Sequence, residues 1–514
     1  MEDRSQWPFP AMLPYQIIYN YPMPPMLGPV APPSPDEWPP PMDRGLRLWR
    51  DRTAHLVRNE LHQIYVHVPF CPFICPFCPF YKVSGSTGRL RDLTERYVTS
   101  LLREIALYGK VPAARANRYS VIYFGGGTPT ELTPEQLARI VRALRAAFDV
   151  AEDAELTIEG VARQMLAPGY LEGCFTAGFN RVSFGVQSLD PAVRRAIGRV
   201  GDDVEDYPRA IERARAAGPG VPVNLELMAN CPEQTPASFA ADLDRVISWR
   251  PDSVDVFTYT MVPGTTLHRS IASGEKTQPR YGAQMLRMRE LATDRLGAAG
   301  YRHVGGEVFA RTDRDRFSES FYGGKGNALH AVLGLGPSAI GHLEGTAYRN
   351  ACDLGAWEDA LDRGRLPVGS ATVMDRKMGR RKAVLFGLAN LHLRAELVET
   401  AAERRLLERW ERQGLVERGP DGYRLTAEGG LWFNQMQLSL LPLADLAVMM
   451  KMVGSYSEQD RMVNGGTPLG DELVALAGSS GGVLGRLTAL GYQASLSVMK
   501  HLPDGSAAIR WLRR

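Results

Sequence analysis

The sequence predicts an α/β protein: a parallel sheet with helices outside it. Two observations carry this. Between residues 60 and 310, short β-rich runs alternate with amphipathic segments, the order that winds a parallel sheet, open or closed. Cys71, Cys75 and Cys78 follow the first run directly, and Gly125, Gly126 and Gly127 follow the second. In parallel α/β sheets the chemistry collects at the carboxyl ends of the strands.

Taken in order, residues 1–42 hold 13 prolines with Trp7, Phe9, Tyr15, Tyr19, Tyr21 and Trp38 among them. Proline at that density favours extended chain over helix or strand. The aromatics set this arm apart from an ordinary disordered tail and suit a segment laid across the body, covering a cavity. The arm is taken as 1–55. Strands are expected at 63–67, 119–124, 155–159, 181–187, 223–228, 253–260 and 303–309 within a core of 56–330. A helix starts at Thr133, with Gln136 three residues on as a capping box. Leu137, Ile140, Val141, Leu144 and Phe148 keep its apolar spacing. In a unit of 331–440, residues 380–397 and 401–413 read as helices. Residues 414–425 read as a hairpin turning at Pro420-Asp421-Gly422. Residues 441–514 are expected to form a small α/β tail, with a helix near 471–490 and a hairpin through Pro503-Asp504-Gly505, as a possible substrate lid.

Composition narrows the function. The chain has 514 residues, 44% hydrophobic, with a formal charge of +3. That balance does not call for nucleic acid or a membrane surface. The helix-helix-hairpin region is mixed in charge rather than a basic stripe, so winged-helix geometry alone does not make it a DNA reader. The longest apolar runs are shorter than a bilayer span. No secretory pattern is expected at the N-terminus. Six cysteines, three of them clustered, do not form a disulfide framework. A reducing cytoplasm suits them, and the expected state is a monomer.

The cluster reads Cys71-Pro-Phe-Ile-Cys75-Pro-Phe-Cys78. Three closely spaced thiolates can hold three irons of a cubane and leave the fourth iron open. A structural zinc site needs four donors, and His67 is the only candidate nearby. Cys174, Cys231 and Cys352 are scattered and read as ordinary thiols. The run Tyr123-Phe-Gly-Gly-Gly-Thr-Pro129 lets backbone approach a ligand closely with its amides free.

The CxxxCxxC pattern after a first strand resembles the radical S-adenosylmethionine superfamily. More narrowly, the chain resembles the oxygen-independent coproporphyrinogen III oxidase-like (HemN-like) proteins. The matching segments are Tyr65-Val-His-Val-Pro-Phe-Cys71, Gly125-Gly-Gly-Thr-Pro-Thr130, Asn180-Arg-Val-Ser-Phe-Gly-Val-Gln-Ser188, Gly334-Leu-Gly-Pro-Ser-Ala-Ile340 and Leu425-Thr-Ala-Glu-Gly429. The resemblance implies a partial (β/α)6 TIM-like barrel with a C-terminal helical, winged-helix-like domain. It implies a [4Fe-4S] cluster on Cys71, Cys75 and Cys78, and two S-adenosylmethionine molecules. Tyr65, Gly126, Glu159 and Ile340 are implied contacts of the cluster-bound molecule. Phe77, Gly127, Thr128, Gln187, Arg199, Glu226 and Thr260 are implied contacts of the second. Glu226 stands where the family usually has aspartate.

Coproporphyrinogen oxidases proper usually carry a further cysteine two residues after the third; here Phe80 occupies that position. On that ground the expected reaction is radical methyl or methylene transfer, a methylation or cyclopropanation, to an aromatic, polyene or tetrapyrrole substrate. A flavodoxin or ferredoxin is the expected reductant. The alternatives are oxidative decarboxylation of coproporphyrinogen III, and a non-catalytic haem carrier using His67, His303, His330 or His342.

Overall fold

The computed structural model describes residues 8–9, 28–56, 62–85, 87–199, 201–259, 265–277, 279, 282–313 and 330–441. The expected tail elements beyond 441 lie outside the described residues.

One sheet of thirteen strands dominates. Its strands are β1 (Gly28–Pro29), β2 (His62–Val68), β3 (Arg118–Gly126), β4 (Asp149–Gly160), β5 (Arg181–Gln187), β6 (Val223–Ala229), β7 (Ser253–Thr258), β8 (Arg302–Gly305), β9 (Val308–Ala310), β10 (Val332–Leu335), β11 (Ile340–Leu343), β12 (Thr346–Asn350) and β13 (Val368–Val373). The spatial order is β1-β13-β12-β11-β10-β2-β3-β4-β5-β6-β7-β9-β8. From β10 through β7 every neighbouring pair is parallel. β2 to β7 follow chain order with no reversal, so right-handed crossovers place their helices on one face, as in a barrel rather than a doubly wound sheet. The α/β expectation holds. The 303–309 run does not form a further parallel strand. Gly305 and Gly306, both at positive φ, split it into β8 and β9, which pair antiparallel, and β9 joins β7 antiparallel.

The two sheet faces differ in chemistry. Ile64, Val66, Val68, Phe124, Leu156, Ile158, Val182, Phe184, Leu225 and Val254 point into the main apolar core. The helix Pro134–Ala147 adds Leu137, Ile140, Val141 and Leu144 to it. Its capping box forms as expected: the Gln136 amide donates to Thr133 Oγ1 at 3.3 Å, and the Thr133 amide donates to Gln136 Oε1 at 2.9 Å. Burying such side chains stabilises by about 1.5–3 kcal/mol each. The alternate residues Gln63, His67, Glu155, Thr157, Arg181, Ser183, Asn224, Ser253 and Asp255 are buried and polar. Period-2 alternation puts them together on the opposite face.

A second sheet holds β14 (His392–Arg394), β15 (Val416–Gly419) and β16 (Gly422–Leu425), in the order β14-β16-β15. The expected hairpin is β15–β16. The expected helix at 380–397 runs Arg376–Ala389 instead; Leu391, at φ 56°, turns the chain into β14. The helix Ala401–Arg412 matches its expectation. The described parts of the N-terminal arm pack on the body. Phe9 stacks on Trp432 at 5.8 Å, β1 pairs with β13, and Trp38 meets Tyr348 edge-on at 5.3 Å.

Candidate active site

The polar face is a connected network. Arg181, 1% exposed, lies 3.9 Å from Glu155 and donates to Ser253 Oγ at 3.2 Å. Asn224 donates to Ser183 Oγ at 2.9 Å and to Asp255 Oδ2 at 3.0 Å. Ser183 donates to Glu226 Oε1 at 2.7 Å. Such a network holds its members in one arrangement, because leaving any of them unpaired in low dielectric is costly.

Two carboxylates project from this floor. Burial raises the Glu159 carboxyl well above the ordinary carboxylate range, and the charge of Glu226 raises it further. Burial raises Glu226 too, against the Ser183 hydroxyl and the cations Arg181 and Arg199. Tyr123 OH donates to Glu159 at 3.5 Å. Two acids held close in a dry site suit ligand hydroxyls or a cationic ligand.

The cysteine loop leaves the carboxyl end of β2. The Cys71 amide donates to Val83 O at 3.0 Å, and the Val83 amide to Pro69 O at 2.7 Å, which returns the chain past its own start. The Cys78 amide donates to Cys75 O at 3.1 Å, a tight turn. Lys82 Nζ donates to Cys78 O at 2.7 Å and Phe80 O at 3.0 Å. Burial pushes the Cys71 thiol up to about 12, against a hydrogen bond from Thr128 and with the charges of Cys78 and Cys75 adding to the rise. Burial also raises Cys78, with Lys82 opposing. The three thiols thus lie within electrostatic reach of one another, though among the described residues they are not drawn together into a ready metal-holding cluster. His67 is not a fourth metal donor: its Nδ1 is bonded to Tyr65 OH and its Nε2 to Tyr81 O, both at 3.1 Å. The donor set is three soft thiols with no fourth protein ligand among the described residues, which fits a cubane with one open iron.

The glycine turn at the end of β3 faces this loop. Gly126 has φ 108°, and a Cβ there would sit 2.5 Å from the His67 ring. At Gly127 it would meet Phe70 O at 2.7 Å, and at Gly125 Glu159 Oε2 at 2.8 Å. The Gly127 amide donates to Val68 O at 2.8 Å and the Thr128 amide to Phe70 O at 2.6 Å. Only glycine lets the turn lie this close to β2.

β5 and the helix after it complete the wall. Gln187 ends β5 at φ 62°, and its buried Oε1 has no partner. Arg199 Nη1 lies 3.9 Å from Cys75 Sγ. Its Nη2 donates to Asp202 at 3.0 Å and to Gly185 O. Its guanidinium lies 5.7 Å over the Phe73 ring, while its buried Nε has no partner. Gln187 Oε1 and Arg199 Nε are thus a left-over acceptor and donor, the second on the side chain that reaches Cys75.

Of the residues singled out from the sequence, Cys71, Cys75, Cys78, Gly126, Gly127, Thr128, Glu159 and Gln187 lie at the carboxyl ends of β2 to β5 or in the loops that leave them, Tyr65 and Glu226 lie midway along β2 and β6, and Arg199 follows the helix Pro191–Ile197. Ile340 opens β11, with its carbonyl carbon and oxygen packed where a Gly334 Cβ would stand. Phe77 packs against the second apolar cluster, the one built around Trp410 and Trp432. Thr260 lies outside the described residues. Sequence reasoning missed Tyr123, Ser183, Asp202 and Asp255; the polar phase of the strand alternation was the signal that could have found the three that lie on strands. Among the described residues no helix is long and apolar enough to cross a membrane.

The Radical SAM superfamily model matches residues 65–245. The chain is 31% identical over 392 residues to the oxygen-independent coproporphyrinogen III oxidase of Pseudomonas aeruginosa, covering 72% of this chain and 83% of the relative. It is 27% identical over 402 residues to the anaerobilin synthase of Escherichia coli O157:H7, covering 77% and 87%. The solved coproporphyrinogen III oxidase (HemN) from Escherichia coli superposes with a TM-score of 0.63 at 26% identity, over 76% of this chain and 93% of that one. The cofactors that go with these matches are a [4Fe-4S] cluster and S-adenosylmethionine. With three thiols at one strand end, a glycine cradle against them and these relatives, the chain belongs to the HemN-like, oxygen-independent coproporphyrinogen III oxidase family of radical S-adenosylmethionine proteins.

Proposed function

We propose that this protein is an oxidoreductase that decarboxylates propionate side chains of a reduced tetrapyrrole, as an oxygen-independent coproporphyrinogen III oxidase. The observation that carries this reading is 31% identity sustained over 83% of a protein of that name. Bound together, the cluster and S-adenosylmethionine supply a 5′-deoxyadenosyl radical able to take hydrogen from a propionate. In this reading Cys71, Cys75 and Cys78 hold the irons. The Gly126–Gly127 turn and Glu159 position the methionine and ribose of the first S-adenosylmethionine, beside Tyr65 and Ile340. Gln187, Arg199 and Glu226, with Phe77, Thr128 and Thr260, receive the second. Arg199 suits a carboxylate. A one-electron donor such as flavodoxin or ferredoxin supplies the electron.

A second reading, methyl or methylene transfer, keeps one specific support. Phe80, 59% exposed, stands where the oxidases proper usually have a cysteine. The haem-carrier reading is weaker at two of its histidines: His67 has both ring nitrogens engaged, and His303 Nε2 is bonded to Gly306 O at 2.8 Å. The test is anaerobic turnover with methyl-labelled S-adenosylmethionine and coproporphyrinogen III. Carbon dioxide release with unlabelled product supports decarboxylation. Label in the product overturns it in favour of transfer.

A further inference from the structure

A hollow of about 360 Å³ is lined by Arg215, Gly220, Val221, Arg250, Asp252 and Arg311. β6 begins at Val223 and β7 at Ser253, so the hollow lies at the amino ends of the parallel strands, opposite the ends that carry the thiols. The Asp252 amide donates to Val223 O at 2.8 Å and the Arg311 amide to Asp252 O at 2.9 Å, which draws its walls together.

Three guanidiniums reach this hollow from three elements. Arg215, in the last turn of the helix Asp206–Ala217, donates to Trp249 O at 3.4 Å and to Arg250 O at 2.6 Å. Arg311, one residue beyond β9, donates to the same Arg250 O at 3.2 Å. Arg250 adds its own side chain to the lining. Capping the carbonyls that follow the helix Pro236–Ser248 accounts for two of these bonds to Arg250 O and for the one to Trp249 O. It does not account for the charge. Cations drawn to one carbonyl repel one another. Asp252 is the only acid in the lining, and its Oδ2 already accepts from the Val223 amide at 3.0 Å. Among the described residues none of the three arginines forms an ion pair. Their neighbours do: Arg213 pairs with Glu172, and Arg245 with Glu205. Arg311 Nε is buried and has no partner.

We propose that this hollow binds a phosphate group, free or as the ester of a small molecule. A dianion offsets three cations set against one acid. Phosphate oxygens point in several directions, so each guanidinium can meet its own, whereas the two coplanar oxygens of a carboxylate are satisfied by one fork. The volume falls in the range of small-molecule sites. The site is separate from the thiols and does not rest on the reaction proposed above.

The test uses the full chain reconstituted with its cluster. Calorimetric titration and thermal melting are run at constant ionic strength with sodium phosphate, glycerol 3-phosphate, succinate and chloride, on wild type, Arg250→Gly, Arg250→Lys and Arg215→Gln. Phosphate or its ester should bind wild type and raise its melting temperature beyond the chloride control. Arg250→Gly should bind about tenfold or more weakly, the scale of one lost charged hydrogen bond. Arg250→Lys should lose less, since it keeps the charge and gives up only the fork. Arg250 has φ 53°, which glycine adopts freely, so the unliganded glycine variant should melt no lower than wild type. Binding of glycerol 3-phosphate at least as tight as that of phosphate assigns the site to an ester, and binding of phosphate alone to the free ion. Succinate binding as tightly as phosphate overturns the phosphate assignment. No wild-type response beyond chloride, or equal affinities in wild type, Arg250→Gly and Arg215→Gln, overturns the site.

Discussion

Arg199 places one guanidinium nitrogen 3.9 Å from Cys75 Sγ and another 3.0 Å from Asp202. It therefore ties a cysteine of the loop after β2 to the helix-bearing loop after β5. Asp202 also holds Arg194 at 3.2 Å, so losing Arg199 leaves the acid with one partner. Arg199→Met should cost about 3 kcal/mol, the low end for breaking a buried ion pair, and Arg199→Lys less. Urea unfolding of the iron-free protein measures both.

Cys75→Ala should yield protein without the brown colour of an iron–sulfur cluster and without 5′-deoxyadenosine formation. Anaerobic reconstitution followed by iron assay and product chromatography checks this. Turnover that survives the change would remove the cysteine loop from the mechanism.

Gly126→Ala forces a Cβ to within 2.5 Å of the His67 ring at φ 108°. The expected loss is about 1–3 kcal/mol from backbone strain, with the clash adding to it. S-adenosylmethionine binding should weaken more than overall stability, because the displaced turn faces the thiols. Calorimetric titration beside thermal melting separates the two effects.

Glu159→Gln removes a carboxyl that burial, with the charge of Glu226 adding to it, holds well above its ordinary range. A carboxyl raised in the folded state contributes stability at low pH that is lost as pH rises through its folded value. The glutamine variant should therefore equal wild type near pH 5 and exceed it at pH 8, by about 1 kcal/mol or more. S-adenosylmethionine affinity should fall about tenfold if Glu159 holds a ribose hydroxyl.

Glu104 offers a second pH test, away from the thiols. Its carboxyl accepts from the Gly336 amide at 2.8 Å, Asn350 at 2.7 Å and Trp357 at 3.1 Å. Burial still pushes it up to about 8. By the same sign, stability should decline between pH 6 and 8, at up to about 1.4 kcal/mol per unit. Glu104→Gln should flatten that slope while costing about 1–3 kcal/mol near pH 6, because an amide group now faces three donors. Unfolding free energies across this range check both statements.

Much of the sheet was legible because strands 181–187 and 223–228 carry their pattern locally: apolar Val182, Phe184 and Leu225 alternate with polar Ser183 and Glu226. The cysteine and glycine runs were legible because few residue types can do what they do. The break between β8 and β9 was not, since glycines interrupt many strands without reversing them. The end of the helix at Ala389 was also hidden: Leu391 adopts a positive φ that its residue type does not announce. Lys382 looked like one more basic residue in Arg380-Arg-Lys382. Only tertiary packing, which buries Lys382, distinguishes it from Arg380, which pairs with Glu403 at 2.7 Å.

The sheet's border at β1 is two residues long and ends in Pro29. Proline offers no amide hydrogen for a further strand to bond, and a stub so short gives an incoming chain almost no register to copy. A thirteen-stranded sheet would otherwise be a template for edge-to-edge self-association. At this margin the proline-rich arm works as a stopper, and trimming it back past Pro29 would bare β13 and invite aggregation.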